Sequence, residues 1–419
     1  MAITARSLAA PARRCAAALA AAVLCAAAAP AAFAADPAPA ASPKLPKGLY
    51  GSTDPKYDGV WRQSLALLAQ DTTGVRPADS AVDWLAGQQC ADGAFTAYRA
   101  DPKRPCDAKT LRDTNQTAAA VQALAAVGGH ADAVRKGVSW LKSAQNDDGG
   151  WGSASGAPSD ANSTSVVIGA LAATGTKPES VTAKKGGKTP YEGLLAFRLG
   201  CDVEKKDRGA FAFQAKDGKL AANEDATAAA VLGALGKGFV VEQGAGAAKS
   251  ASCEAAAKDA HAAAGGAADQ LGSVLDAHDH HLMSAMPGAE SQPDVGNTAD
   301  AVVALAAAGR ADAAKQSLGW LREHSAAWAK QSGPAAYAQL ILATHATGGD
   351  PRDFGGTDLV TKLNATGPKP ASAASDQQAE KDQKEDEGGG SVWWVVLVGL
   401  AAGAGIGFLL SGRRKQNQL

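Results

Sequence analysis

Residues 113–152, DTNQTAAAVQALAAVGGHADAVRKGVSWLKSAQNDDGGWG, read as one helical hairpin punctuated at both ends. Asp113 is an N-cap, and Gln116 three residues later completes a capping-box pattern. From 117 to 127 the side chains are small and apolar, with Gln122 the single interruption. A helix that is apolar all round is buried on every side, so this is an inner helix. Gly128-Gly129 stops it. A second helix over about 131–145 sets Ala131, Val134, Val138 and Leu141 on one face and Asp132, Arg135, Lys136 and Lys142 elsewhere, as an outer amphipathic helix does. The turn at 145–151, QNDDGGW, supplies glycines for positive φ and Trp151 to pack back on the hairpin.

The pattern recurs. Inner-helix starts reappear as DANSTSVVIGAL at 160–171, NEDATAAAV at 223–231 and DVGNTADAVVAL at 294–305. The outer Trp-Leu pair recurs at Trp84-Leu85 and Trp320-Leu321, and the closing turn as QQCADGAF ending at Phe95 and RGAFAF at 208–213. Weaker pairs start near Val60 and Gly333, which makes about six hairpins. The spacing is irregular, with insertions expected at 176–190 and 237–276, so a uniform solenoid is excluded.

The WLxxxQxxDGGW pattern of residues 140–151 resembles the Gln-Trp repeat of the terpenoid-cyclase and protein-prenyltransferase superfamily, including squalene cyclases. That resemblance implies an all-α fold, an α/α toroid in which inner helices are ringed by outer ones. The Asp-x-Asn-x-Thr starts and the six hairpins are nearer to the (α/α)6 barrel domain of the transcobalamin and intrinsic-factor group. The similarity spans about residues 57–364. It speaks to fold rather than function, because cyclases, transferases and pure binders share this architecture.

Outside that span the chain is divided by composition. Arg6, Arg13 and Arg14, an Ala/Val/Leu run and Ala32-Phe33-Ala34 read as a signal peptide over 1–34, as in a bacterial exported protein. Residues 35–56 read as a flexible lead-in, 57–364 as the toroid, and 365–391, rich in Asp, Glu, Lys, Gln and Gly, as a disordered stalk. Residues 392–410 are an uncharged apolar run of about 28 Å as a helix, enough to span a bilayer core. Arg413, Arg414 and Lys415 follow in the 411–419 tail, so the positive-inside rule sets the tail in the cytoplasm and the toroid outside. Gly399, Gly403 and Gly407 repeat every fourth residue, a spacing suited to self-association or to packing on a membrane transporter. A formal net charge of −1 offers no case for nucleic acid.

Four cysteines remain after the signal peptide: Cys90, Cys106, Cys201 and Cys253. An even count in an exported chain favours disulfides with three possible connectivities, of which sequence proximity favours Cys90–Cys106 and Cys201–Cys253. The first would pin the loop holding Tyr98. The zinc alternative is weak, because no CxxC or HxxH spacing accompanies these cysteines.

Catalytic signatures are scarce. The nearest matches to the Asp-x-Asp-Asp acid motif of squalene-type cyclases, at 113–116 and 223–226, lack paired carboxylates. Carbocations want aromatic walls, and aromatic residues make up 5% of this chain. A cyclase or prenyltransferase-type enzyme is therefore the alternative reading. A third reading is an adhesion or scaffold module that binds another protein. The favoured one is a membrane-anchored extracytoplasmic protein that captures a small ligand. Polar inner-helix starts, namely Asp113, Asn115, Gln116, Asp160, Asn162, Asn223, Asp225, Asp294 and Asn297, would ring the mouth of a central cavity, with Tyr98 and Trp151 as aromatic contacts. Taken singly each polar residue is accounted for as a helix cap. A ring is the stronger observation, since capping does not need the first and third positions both polar. The resemblance to the transcobalamin group implies a corrinoid as ligand, with a histidine from the 278–281 cluster, His280 or His281, at its cobalt. The small β-domain that covers the corrinoid in that group has no counterpart here, so a partner would supply the second face.

Overall fold

The computed structural model describes residues 45–371, apart from 245–247, 252 and 285–289. The signal peptide, most of the stalk, the 392–410 run with its three glycines, and the basic tail lie outside those residues. Among the described residues no helix is long and apolar enough to cross a membrane.

Fourteen α-helices make up the described chain. Six are inner: α1 (Gly59–Thr72), α3 (Thr114–Val127), α5 (Ala161–Ala173), α7 (Glu224–Ala234), α10 (Val295–Ala307) and α13 (Pro334–Ala346). Each packs against the next and α13 packs back on α1, so the ring closes. Around it run α2 (Asp79–Gly87), α4 (Ala131–Ser143), α6 (Pro190–Leu195), α9 (Ala260–Ala277), α11 (Ala311–His324) and α14 (Leu359–Asn364), each against its own inner helix. Two short helices, α8 (Cys253–Ala256) and α12 (Ala326–Ser332), and one antiparallel pair, β1 (Leu282–Ser284) with β2 (Gln292–Asp294), complete it. This is the helical architecture expected of an α/α toroid. Alanine is what lets the ring close: Ala118, Ala119, Ala120 and Ala123 of α3 are fully buried and let neighbouring backbones approach.

The sequence motifs work as a hydrogen-bonded joint between each closing turn and the inner helix that follows. Phe95, Trp151 and Phe211 are fully buried. Their backbone N–H groups donate to Thr117, Thr164 and Thr227 Oγ1 at 2.8, 3.0 and 3.0 Å. Their carbonyls accept from the backbone N–H of the caps Asp113, Asp160 and Asn223. Leu282 uses Thr298 in the same way. The repeated glycine is explained here. Gly93 and Gly149 have φ of +97° and +89°, and a Cβ on either would sit 2.3 Å from a carbonyl oxygen, that of Lys136 or Thr189. Replacing Thr227 by valine strands a buried N–H and is expected to cost about 1–3 kcal/mol. Urea unfolding would measure it, and no change would mean the joint carries no stability.

Several boundaries differ from the sequence reading. The 237–276 stretch, expected as an insertion, contains α9, the outer helix of the fourth hairpin; it has no Trp-Leu pair to mark it. The outer face of the second hairpin is carried by Gly137, Trp140 and Leu141 rather than by Ala131, which is exposed. Residues 45–56, expected in the flexible lead-in, pack on the toroid: Leu49 and Tyr50 are buried, and the Tyr50 N–H donates to Gln63 Oε1 at 2.9 Å. Residues 365–371 belong to the fold too, since Thr366 accepts from the Gly51 N–H at 2.8 Å and the Tyr50 hydroxyl lies 3.2 Å from the Pro368 carbonyl. The two ends of the domain thereby clasp each other.

Both expected disulfides are present, Cys90–Cys106 and Cys201–Cys253. The first closes a separation of 16 residues. Losing it to a double serine replacement is expected to lower stability by about 3 kcal/mol through chain entropy. Thermal melting with and without reductant checks this.

Candidate functional site

The ring encloses a chamber of about 280 Å³. Each inner helix contributes a side chain to it: Trp61 from α1, Asn115 from α3, Asn162 from α5, Asp225 from α7, Asp300 from α10 and Gln339 from α13. Asn115, Asn162 and Asp225 share a structural reason. Each lies two residues after an N-cap, where a helix's first turn directs the side chain inward while the cap itself is held by its own backbone. Asp300 and Gln339 come from the second turn, deeper in the ring. Leu65, Val166, Leu232, Val303 and Leu342 form apolar walls. The segment Lys237-Gly238-Phe239 lies across the far end, where the Phe239 N–H donates to Gln122 Oε1 at 3.0 Å. Phe239 also meets Trp61 edge to face, with ring centroids 5.3 Å apart.

Two polar contacts cross between helices. Asn162 Nδ2 donates to Asp225 Oδ2 at 2.7 Å, and Gln339 Nε2 lies 3.1 Å from both oxygens of Asp300. The buried amide oxygens of Asn115 and Asn162 have no hydrogen-bond partner. A buried acceptor left unpaired costs free energy, so these atoms are places where a donor would be gained. Burial pushes Asp225 above the usual carboxylate range, with the Asn162 hydrogen bond opposing and Asp294 adding to the rise. Burial raises Asp300 to about 7, eased by Gln339 and reinforced by Asp225 and Asp294. Asp300 therefore exchanges a proton near neutral pH inside an apolar chamber.

The polar residues expected to ring the mouth divide in two. Asn115, Asn162 and Asp225 face the chamber. Asp113, Asp160, Asn223 and Asp294 are caps whose side chains accept from the backbone N–H three residues on, and Asn297 is spent on Asp294, its Nδ2 donating at 2.8 Å. Gln116 reaches back to the Tyr57 carbonyl at 3.4 Å. Trp151 is a fully buried strut, its Nε1 donating to the Leu141 carbonyl at 2.8 Å. Tyr98 stacks on Trp84 beside the Cys90–Cys106 loop. None of these lines the chamber.

The histidines also lie elsewhere. His281 stacks on Trp320 of α11 at 4.4 Å, and His324 covers the same indole at 4.6 Å. His280 ends α9 in the left-handed region, φ +64°, with Nδ1 3.4 Å from Asp276. They belong to the outer layer, where they close a helix and cover an indole.

Asp300 and Gln339 escape sequence reasoning because each is flanked by apolar residues and belongs to no local motif. That was itself the available signal, and Gln122 carried it too: a charge or amide inside an all-round buried helix needs a partner or a cavity. Two carboxyl groups from different helices, Asp225 on α7 and Asp300 on α10, line the same chamber.

Residues 110–180, covering α3, α4 and α5, match the model of the squalene-hopene cyclase C-terminal domain. The match supports the resemblance to the terpenoid-cyclase and prenyltransferase-like α/α toroid superfamily. No curated protein matches the chain. A crystal structure of a protein from Actinoplanes is similar at 14% identity and a TM-score of 0.43, over 72% of this chain and 92% of that one.

Proposed function

We propose that the toroid captures a small ligand outside the cytoplasm, binding an apolar part in the chamber and hydrogen-bond donors at its mouth. The carrying observation is the convergence of six inner helices on one chamber whose Asn115 and Asn162 amide oxygens are unpaired. Two carboxyl groups among the lining residues add to the preference for a ligand rich in donors. The chamber stands at the lower end of the usual range for small-molecule sites, roughly 300–1,000 Å³. It therefore takes a small molecule whole, or one arm of a larger molecule resting on the mouth. A corrinoid, whose macrocycle carries amide arms, fits the second case. The exposed side chains Tyr57 and Leu111 precede α1 and α3, and the Phe213 carbonyl accepts from the first N–H of α5, so apolar groups stand beside the mouth, where a covering partner would sit. In this reading residues 392–410 anchor the protein, and Gly399, Gly403 and Gly407 face a transporter subunit or a second copy.

Titration of the purified protein with cobalamin and cobinamide, followed by absorption and calorimetry, tests this. Saturable binding is expected, weakened about tenfold or more by Asn162→Leu, since one hydrogen bond to a buried group is worth about 1–2 kcal/mol. His280→Ala and His281→Ala are expected to leave it unchanged, because both side chains lie outside the chamber. Absence of saturable binding would remove the corrinoid.

One observation favours a second reading. Asp300, its carboxyl raised to about 7 by burial, lines the chamber together with Trp61 and Phe239, and an acid-initiated isoprenoid cyclase would use such an acid. A cyclic isomer formed from a linear polyprenyl substrate, and lost in Asp300→Asn, would establish it. Capture is preferred because two aromatic side chains are few for holding a carbocation.

A further inference from the structure

A second recess, of about 650 Å³, lies outside the ring between α9 and the loop that follows α6. The Cys201–Cys253 disulfide pins its two walls together, and Cys253 lies on its edge. Arg198, Lys205, Lys206 and Arg208 line the loop side; Asp269 and Gln270 line the α9 side. Four cations thus face one carboxylate, and that carboxylate is committed elsewhere: Asp269 Oδ1 accepts from Arg310 Nε at 2.7 Å, and its other oxygen accepts from the Ser250 hydroxyl.

Neighbouring groups balance these cations only in part. Arg208 Nε donates to the Val203 carbonyl at 3.1 Å, which fixes its guanidinium plane. Lys206 lies 3.3 Å from Glu204, but both side chains are about three-quarters exposed, and such a pair is screened and weak. Arg198 is different, being 8% exposed with an Nε that has no hydrogen-bond partner. A guanidinium carries five donors, and burying one unsaturated is costly unless an acceptor reaches it. Glu254 supplies part of the balancing charge from the opposite side of the disulfide. We propose that this recess binds a phosphoryl group, as free phosphate, a phosphate ester or the headgroup of an anionic phospholipid, with Arg198 and Arg208 offering planar donor forks and Lys205 and Lys206 point charges. The site is independent of the chamber and of what the chamber binds.

The test is calorimetric titration of the full-length detergent-solubilised protein with inorganic phosphate, glycerol phosphate and short-chain phosphatidylglycerol below its micelle concentration, with short-chain phosphatidylcholine as the neutral control. Saturable binding that falls steeply with salt is expected, reduced about tenfold or more in Lys205→Gln/Lys206→Gln/Arg208→Gln. Those three positions are exposed, so the variant keeps its fold, and circular dichroism verifies that. Glu254→Gln is expected to tighten binding by removing the competing carboxylate. Binding of phosphate and glycerol phosphate identifies a soluble ligand; binding of phosphatidylglycerol alone identifies a headgroup. No saturable binding of any of the three, or binding equal in the triple variant and in phosphatidylcholine, overturns the proposal.

Discussion

Trp151→Ala is expected to destabilise the toroid by about 3–5 kcal/mol, the range for deleting a large buried aromatic side chain. The indole is fully buried in the cluster formed with Val121, Trp140, Leu141, Val167 and Leu171, which joins the second hairpin to the third. Its loss leaves a cavity between hairpins and removes the Nε1 hydrogen bond to the Leu141 carbonyl, which keeps only the Ala144 N–H as donor. The backbone N–H stays on Thr164, so the effect reports the ring and not the turn. The midpoint of urea unfolding measures it, with Trp151→Phe expected to recover about half by refilling most of the volume. A loss below about 1 kcal/mol would mean that the hairpins are joined by something other than this strut.

Asp300→Asn is expected to change how stability depends on pH. In the folded protein burial raises the carboxyl to about 7, against the ordinary 3.8 of the unfolded chain. A raised carboxyl pKa means that the folded state holds the proton more tightly than the unfolded state does. The contribution of Asp300 is therefore most favourable below pH 4, declines as pH rises from about 4 to about 7, and levels off above that, where the ionised group costs up to about 4 kcal/mol. Asparagine cannot ionise and still accepts from Gln339, so the variant should be the more stable protein at pH 8 and should lack the decline. Urea midpoints from pH 4 to pH 8 make the comparison. Parallel profiles would show that Asp300 is not the group being titrated, and Asp225, raised in the same direction, would then be the candidate.

These two residues also mark the difference between what could be read along the chain and what could not. Trp151 was recognisable because it closes a local pattern, Gln-x-x-Asp-Gly-Gly-Trp, in which every partner lies nearby. Gln145 Nε2 donates to the Gly149 carbonyl at 2.8 Å, and Asp148 accepts from the Gly150 N–H at 2.9 Å. Its role is that of a buried strut, where the sequence suggests a ligand contact. Asp300 was passed over because its partners sit on other helices: Gln339 is 39 residues away, and Asp225 enters through electrostatics alone. The histidines were misjudged for the same reason. Three of them in four residues look like a ligand cluster on paper, yet a helix end in the left-handed region and a stack on Trp320 take them outside the ring.

Read along the chain, short-range chemistry determined the hairpins, the caps, the aromatic turns and the pairing of nearby cysteines, because hydrogen bonds of caps and turns, and the packing period of a helix, are settled within a few residues. Tertiary structure alone decided which of the polar starts point inward, which buried acid shares the chamber with Asn162 and Gln339, and how Arg198 and the basic loop come to face α9. Those outcomes depend on closing six hairpins into a ring. Closure is set by the packing of α13 on α1 and of each inner helix on the next, contacts between residues far apart in the chain, which no local motif encodes.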